Sequence, residues 1–368
     1  MVNCLSSVFA IVTRLPQAID GVGDYALNLA RQLRQDFNIQ TQFIVGNPDW
    51  NGEVEIEGFS VKQIIDGNSA QLTALLEGDR TSPVLLHYVG YGYAKRGCPV
   101  WLVDGIQRWK NLYPDRLLVT MFHELHASGT PPWTSSFWLS PLQKNLVTRL
   151  AKLSDRCITN TQGHAETLRK LVPNPEFEYI SLPVFSNMGE LNYDLPLSMR
   201  TKRLVTFGHK NSRARIYQDY VPELAKICQY FHIKEICDIG NPTGVTLPNI
   251  NDVSIVETGI IESSQISKIL NDSIIGFLVF PPPEQLAKST IFAAYCAYGL
   301  IPYMVSGSKI TINHLEMGKH YLTTSNVSYK LSLEIGQKIA NNAYEWYQTH
   351  NLSKQAKIFS KYLFPRYQ

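Results

Sequence analysis

Cysteine clustering is missing from this chain. Its six cysteines (Cys4, Cys98, Cys157, Cys228, Cys237 and Cys296) are scattered, with no CxxC pair, which speaks against a zinc site or a disulfide framework and fits a reducing cytoplasm. Long hydrophobic runs are missing too. Nothing approaches the roughly 20 consecutive apolar residues a membrane span needs, so the expectation is a soluble protein with at most peripheral contact at the inner face of a membrane. Charge of one sign is also scarce: 34 Lys and Arg stand against 31 Asp and Glu, a net of +3. That balance argues against a whole-surface attraction to duplex nucleic acid and leaves any anion site local. There is no internal repeat and no low-complexity tract. The opening MVNCLSSVFAIVTRLP lacks the basic region of a signal peptide and reads as a first strand.

What is present is an α/β pattern. The 368 residues, 44% hydrophobic and 18% charged, suit two domains of ordinary size. Apolar runs of strand length, VFAIVT (8–13), TQFIVG (41–46), SPVLLHYV (82–89), LLVTMFH (117–123), RCITNT (156–161) and EYISLPV (178–184), alternate with helix-period segments at 22–35 and 162–171. Continuous rather than alternating apolar strands predict a parallel sheet buried on both faces. A polar stretch, FSNMGELNYDLPLSMRTK, is expected to be a linker at 185–202. A second set follows: RLVTFG (203–208), EICDIG (235–240), VSIVETG (253–259), IIGFLVF (274–280) and LIPYMVS (300–306), with helices at 220–231, 263–271 and after PPPEQLAKST. Two Rossmann-like domains are therefore expected, at 1–184 and 203–345, with a largely helical tail.

Four stretches have chemical potential. LVTMFHELHASGTPPWTSSFW places His123 at the carboxyl end of a central strand, where open α/β sheets bind ligands. His-Glu-Leu-His lacks the helical HExxH context of a zinc site. His123 and His126 then read either as contacts to a ligand's hydroxyls or phosphate, or as partners of buried backbone groups. PQAIDGVGDYALNLARQL sets Gly21 and Gly23 before an amphipathic helix, allowing close backbone approach to an anion, or simply a tight turn. RLVTFGHKNSRARIY follows a strand ending at Gly208 with His209, Lys210, Arg213 and Arg215, either a diphosphate cradle or a solvated basic loop. FPPPEQLAKSTIFAAYCAYGLIP puts Lys288, Ser289 and Thr290 at a helix start, where dipole, N–H groups, hydroxyls and ammonium all favour phosphate. Two softer places are His87 with its Gly-Tyr-Gly-Tyr loop, and the aromatics Trp133, Phe137 and Trp138, which either meet an acceptor or pack domains.

Taken together, GVGDYALNLARQL, FHELHASG, VTFGHKNSRARIY and AKSTIFAAYCAYGLIP, in that order, make the chain resemble the GT-B-fold glycosyltransferases, in particular the retaining family 4 group and its bacterial and cyanobacterial relatives. The resemblance implies two Rossmann-like domains with a cleft between them. It assigns the acceptor to 1–184 and a nucleotide diphosphate sugar to 203–345, with a terminal helix, 346–368, crossing back to the first domain. It implies metal-independent sugar transfer with retention of configuration to a glycan or lipid-linked acceptor, in cell-envelope or exopolysaccharide assembly, with no cofactor. His123 would touch the donor sugar, and Arg213 and Lys288 would neutralise the leaving diphosphate. Gly21, Gly23, Gly208, Arg215, Ser289 and Thr290 would hold the donor, and Asp24, Tyr25, His87, Glu124 and Trp133 the acceptor. The sequence departs from the family at two places: where the family carries paired glutamates ahead of the Gly299-Leu300-Ile301-Pro302 stretch, it has Leu286 and Ala294, with Glu284 out of register, and the family's Arg and Lys after the second-domain strand are replaced by Arg213 and Arg215. A sugar-nucleotide epimerase of the same fold and a non-catalytic nucleotide-sugar-binding homologue are the competing expectations.

Overall fold

The structure, a computed structural model, describes residues 6–18, 20–79, 81–129, 131–174, 177–190, 195–279, 283–305, 311–324 and 331–365, with the side chains of 283 and 284 left aside. It divides into two compact units, Met1–Pro183 with Leu352–Gln368, and Val184–Asn351.

In the first unit β1 (Ser6–Val12), α1 (Gly21–Phe37), β2 (Ile39–Val45), β3 (Glu55–Ile56), β4 (Phe59–Gln63), α2 (Ser69–Glu77) and β5 (Val84–Tyr88) are followed by a single helical turn, α3 (Gly90–Tyr93). Then come α4 (Val100–Leu112), β6 (Leu118–Phe122), α5 (Ser135–Leu153), β7 (Arg156–Thr159), α6 (Gln162–Leu171) and β8 (Tyr179–Ser181). The sheet order is β3-β4-β2-β1-β5-β6-β7-β8, parallel except for the β3–β4 hairpin. The second unit holds β9 (Arg203–Phe207), α7 (Lys210–Asp219), α8 (Val221–Tyr230), β10 (Glu235–Ile239), β11 (Ser254–Gly259), α9 (Ser263–Asn271), β12 (Ile275–Leu278), α10 (Thr290–Ala297), β13 (Ile301–Met304), β14 (Leu322–Thr323) and α11 (Leu333–Gln348). Its sheet runs β11-β10-β9-β12-β13-β14, all parallel. Both orders step outward from a first strand and then reverse, the doubly wound Rossmann-like pattern.

The expected strands are there for the expected reason: β5, β6, β12 and β13 are buried at every residue, as parallel strands covered on both faces must be. α1 forms because Asp20 caps it, accepting from Val22 N at 2.9 Å, and because Tyr25, Ala26, Leu29, Ala30 and Leu33 fall on one face. Asn38, at φ 55°, ends it in the left-handed conformation. Full burial of each such leucine contributes about 1.5–3 kcal/mol.

Several segments differ from expectation. The basic stretch after β9 is a helix, α7, not a loop. Its buried face is Arg213, Ile216 and Tyr217, so an arginine occupies a position where an apolar residue would have revealed the period. The Gly-Tyr-Gly-Tyr loop is the tight turn α3: a Cβ on Gly90 would meet Gly97 O at 2.8 Å, and one on Gly92 would meet Thr13 Cγ2 at 2.3 Å. The stretch expected as a linker, 185–202, is held by the second unit in the parts described. Val184 N donates to Ala287 O (2.8 Å), Ser186 N to the Tyr347 hydroxyl (3.0 Å), and Arg200 Nη1 to Tyr298 O (2.9 Å). Residues 191–194 lie outside the described set. At the tail, Trp346 belongs to α11 in the second unit, where its Nε1 donates to Asn313 O at 3.1 Å. The helix that joins the first unit is α12 (Leu352–Leu363), which packs on α1 through Ala356, Phe359 and Leu363.

Candidate functional site

In a doubly wound sheet, polar groups gather beyond the carboxyl ends of the strands, at the point where the order reverses. In the first unit this lies between β1 and β5. Tyr93 bridges it, its hydroxyl donating to Ile11 O (3.1 Å) and His87 O (2.8 Å). Thr13 Oγ1 donates to the Asp20 carboxylate, which also caps α1, so one carboxylate already occupies the helix N-terminus.

Beside it His87, at the end of β5, and His123, just past β6, stack with ring centroids 5.4 Å apart and share a hydrogen bond of 3.2 Å between Nδ1 and Nε2. Tyr25 stands edge-on to both, at 5.7 and 5.1 Å. Its hydroxyl donates to Gln355 Oε1 of α12 at 2.5 Å, so the returning helix braces the pair. Burial lowers the pKa of His123 to about 3. Burial, reinforced by the neighbouring His123, holds His87 well below its ordinary value. Both imidazoles are therefore neutral near pH 7, able to pass hydrogen bonds but not to supply positive charge. Asn160, after β7, donates from Nδ2 to His123 O at 3.0 Å, while its buried Oδ1 has no partner among the described residues. Asp24 is half-buried, and its carboxyl is raised to about 6 by burial first and by Asp20 second, against a smaller opposing pull from Arg31.

Of the first-unit residues expected to act, the structure brings Tyr25, His87 and His123 together and leaves two apart. Tyr25 is 1% exposed with its hydroxyl engaged. It packs edge-on against the histidines and is not open to an acceptor, and His87, also 1% exposed with its Nδ1 bonded to His123, is closed in the same way; both expectations are corrected. Glu124 is exposed, and Trp133, 84% exposed, stands before the N-cap of α5. Gly23 has a structural reason: a Cβ there would lie 2.2 Å from Arg14 O. At Gly21 a Cβ would meet nothing within 4 Å. Tyr93 and Asn160 were missed. Tyr93 is hidden in a glycine-rich turn, and Asn160 in a stretch that reads as plain strand.

In the second unit the reversal falls between β9 and β12. Gly208 ends β9 at φ 116°, and a Cβ there would strike Ile291 Cδ1 at 2.3 Å, so glycine lets the start of α10 approach the strand end. Ser289 is the N-cap of α10, accepting from Phe292 N at 3.2 Å, and Thr290 is its first residue. Lys288, half-buried directly before them, has no ion-pair or hydrogen-bond partner among the described residues.

Both arginines expected to meet the diphosphate are otherwise engaged, which is a correction. Arg213, 2% exposed, donates to the buried Asp238 carboxylate, to Gly208 O (3.1 Å) and to Asn241 O, tying the ends of β9 and β10 together. Asp238 also accepts from the Tyr217 hydroxyl at 2.7 Å. Arg215 is exposed on α7, bonded to Asp219 (3.1 Å) and the Tyr220 hydroxyl (2.9 Å). Leu286 and Ala294, standing where the resembled family has glutamates, are 1% and 0% exposed, so a carboxylate at either would be buried without water. The Glu284 side chain lies outside the described residues. Among the described residues no group of three or more His, Cys, Asp or Glu is arranged to hold a metal ion.

No protein-family model matches the sequence, and no curated protein matches it. Solved structures do. An α,α-trehalose 6-phosphate synthase from Burkholderia multivorans matches over 98% of both chains, with TM-score 0.62 and 10% identity. An alpha-glucosyltransferase in complex with UDP matches over 97% of this chain and 100% of its own (0.58, 10%). A Listeria monocytogenes protein described as a UDP-N-acetylglucosamine 2-epimerase matches over 96% and 95% (0.55, 11%). At such identities the likeness is one of fold: the chain has the GT-B fold, with a Rossmann-like sheet in each unit.

Proposed function

We propose that the chain is a glycosyltransferase that moves a sugar from a nucleotide diphosphate donor to a glycan or lipid-linked acceptor, with retention and without a metal. The observation that carries this reading is the switch point of the second unit. There Lys288, without an ion-pair partner among the described residues, and the hydroxyl residues Ser289 and Thr290 stand at the start of α10, which the glycine after β9 lets approach the strand end, in a fold shared with a neighbour solved with UDP. Departure of a nucleoside diphosphate builds negative charge, and preorganised donors that meet it lower the barrier. The bond from the anomeric carbon to the diphosphate breaks as the bond to the acceptor oxygen forms, and the departing diphosphate takes the acceptor's proton. The neutral His123, 6% exposed, would offer a sugar hydroxyl a donor or an acceptor without adding charge. Retention rests on the family resemblance.

One neighbour favours a second reading, epimerisation of the donor sugar. The test is incubation with UDP-, GDP-, ADP- and dTDP-sugars, with and without chelator, following nucleoside diphosphate release and sugar configuration by NMR. Transfer predicts slow, chelator-insensitive release from one nucleotide series, accelerated by an acceptor. Interconversion of the sugar without an acceptor would support the epimerase, and inertness toward every donor would leave a non-catalytic homologue.

A further inference from the structure

The first two turns of α5 and the residues just before them present apolar side chains to water. Trp133 and Trp138 are 84% and 72% exposed, and Phe137 and Leu142 are 42% and 40% exposed. Phe137 and Trp138 touch edge to face at 5.5 Å, and Leu142 follows Trp138 by one turn. The opposite face of the helix (Gln143, Leu146, Val147, Leu150) is buried, so these aromatics are held out on a fixed support. The support is braced at its tip. Gln143 accepts from Ala127 N (2.8 Å) and donates to Arg96 O (2.8 Å), Ser140 donates to Ala127 O (2.6 Å), and the Tyr91 and Ser136 hydroxyls lie 3.1 Å apart.

Charge around the patch is mostly positive. From Leu125 to Ser154 there is no Asp or Glu, while Lys144, Arg149 and Lys152 lie in that span. The Arg96 contact brings the exposed Lys95 and Arg96 alongside. Of the nearby carboxylates, Asp104 is paired with Arg149 (2.8 Å) and Asp155 with Lys110 (2.8 Å), while the exposed Glu124 has no ion pair among the described residues.

We propose that this aromatic tip, with Lys95, Arg96 and Lys144 beside it, docks the protein on an anionic phospholipid bilayer. Tryptophan favours the headgroup boundary, where its ring is apolar and its N–H is wet, and an amphipathic helix end ringed by cations binds there by apolar burial plus attraction to anionic lipid. A soluble sugar is matched less well, because these rings project outward. Among the described residues no helix is long and apolar enough to cross a membrane, so the contact is peripheral. The inference stands apart from the transferase reading, and its test needs no substrate.

The full-length protein is mixed with vesicles of phosphatidylcholine alone and of phosphatidylcholine with phosphatidylglycerol, and binding is read by co-sedimentation and tryptophan emission. The wild type is expected to sediment with the anionic vesicles, to shift its emission to the blue, and to dissociate as salt rises. Trp133→Ala with Trp138→Ala, at unchanged melting temperature, is expected to weaken binding about tenfold or more, and Lys144→Glu to reduce the preference for anionic lipid. Equal sedimentation with both vesicle types, or undiminished binding by the double variant, would overturn the proposal and leave the face to a soluble partner.

Discussion

At the switch point of the first unit the histidines and tyrosines are neutral and each is held by a neighbour, while the Asp20 carboxylate is taken up by Thr13 and the start of α1. His87 and His123 share a hydrogen bond, Tyr25 is tied to Gln355, and Tyr93 spans two strands. At the switch point of the second unit charge is kept, but it is divided: Arg213 is spent inside the protein on Asp238, and Lys288 is left open. The same strand order thus supports two chemistries. In the reading proposed above, the first end would meet hydroxyls through the neutral His123 and the second a phosphate through Lys288, a cation not already paired among the described residues. An arginine in a basic sequence is therefore no guide to anion binding until its partners are known.

The largest effect that would break this contrast is at Arg213. Arg213→Ala strands the buried Asp238 charge and should cost about 3–5 kcal/mol in urea denaturation. Full stability with lost donor affinity would return Arg213 to the diphosphate.

At His123, replacement by Asn should lower turnover about 10–100-fold with the fold retained. It also has a pH signature. Both histidines bind protons less readily folded than unfolded, so their contribution is fully present above about pH 6.5 and is lost as pH falls, for His123 through about 3. His123 adds a slope of about 1.4 kcal/mol per pH unit in the middle of its window, which His123→Asn should remove. An unchanged slope would mean that the pair is not held neutral.

Lys288→Ala should raise the donor KM or lower turnover about tenfold, the loss of one charge-assisted contact, and leave the melting temperature unmoved because the side chain has no partner to lose. The smallest expected change is at Asp24. Its folded carboxyl holds its proton more tightly than the unfolded value of 3.8, so its contribution favours the fold at acid pH and is lost as pH rises through about 6. Asp24→Asn should therefore stabilise the protein above pH 6, by less than about 1 kcal/mol given its partial exposure. Destabilisation there would show that its charge is wanted.

The strands that frame both switch points were legible because strands buried on both faces are continuously apolar, as in VLLHY and IGFL. So was the placement of His123 and of Lys288, which follow from a strand end and a helix start. α7 was not legible, since its buried face depends on Arg213 finding Asp238, 25 residues away. The bracing of Tyr25 by α12 was equally hidden, its partner Gln355 lying 330 residues along the chain. Local pattern reports burial; it does not report which distant group neutralises a charge.

The central claim, that this fold carries an open diphosphate site, is tested most directly by melting the purified protein with UDP, GDP, ADP and dTDP, with and without chelator. The account predicts a rise in Tm with one of them, insensitive to chelator and reduced in Lys288→Ala, as binding to the folded state alone requires. An unmoved Tm with all four, or a rise that survives Lys288→Ala in full, would contradict it.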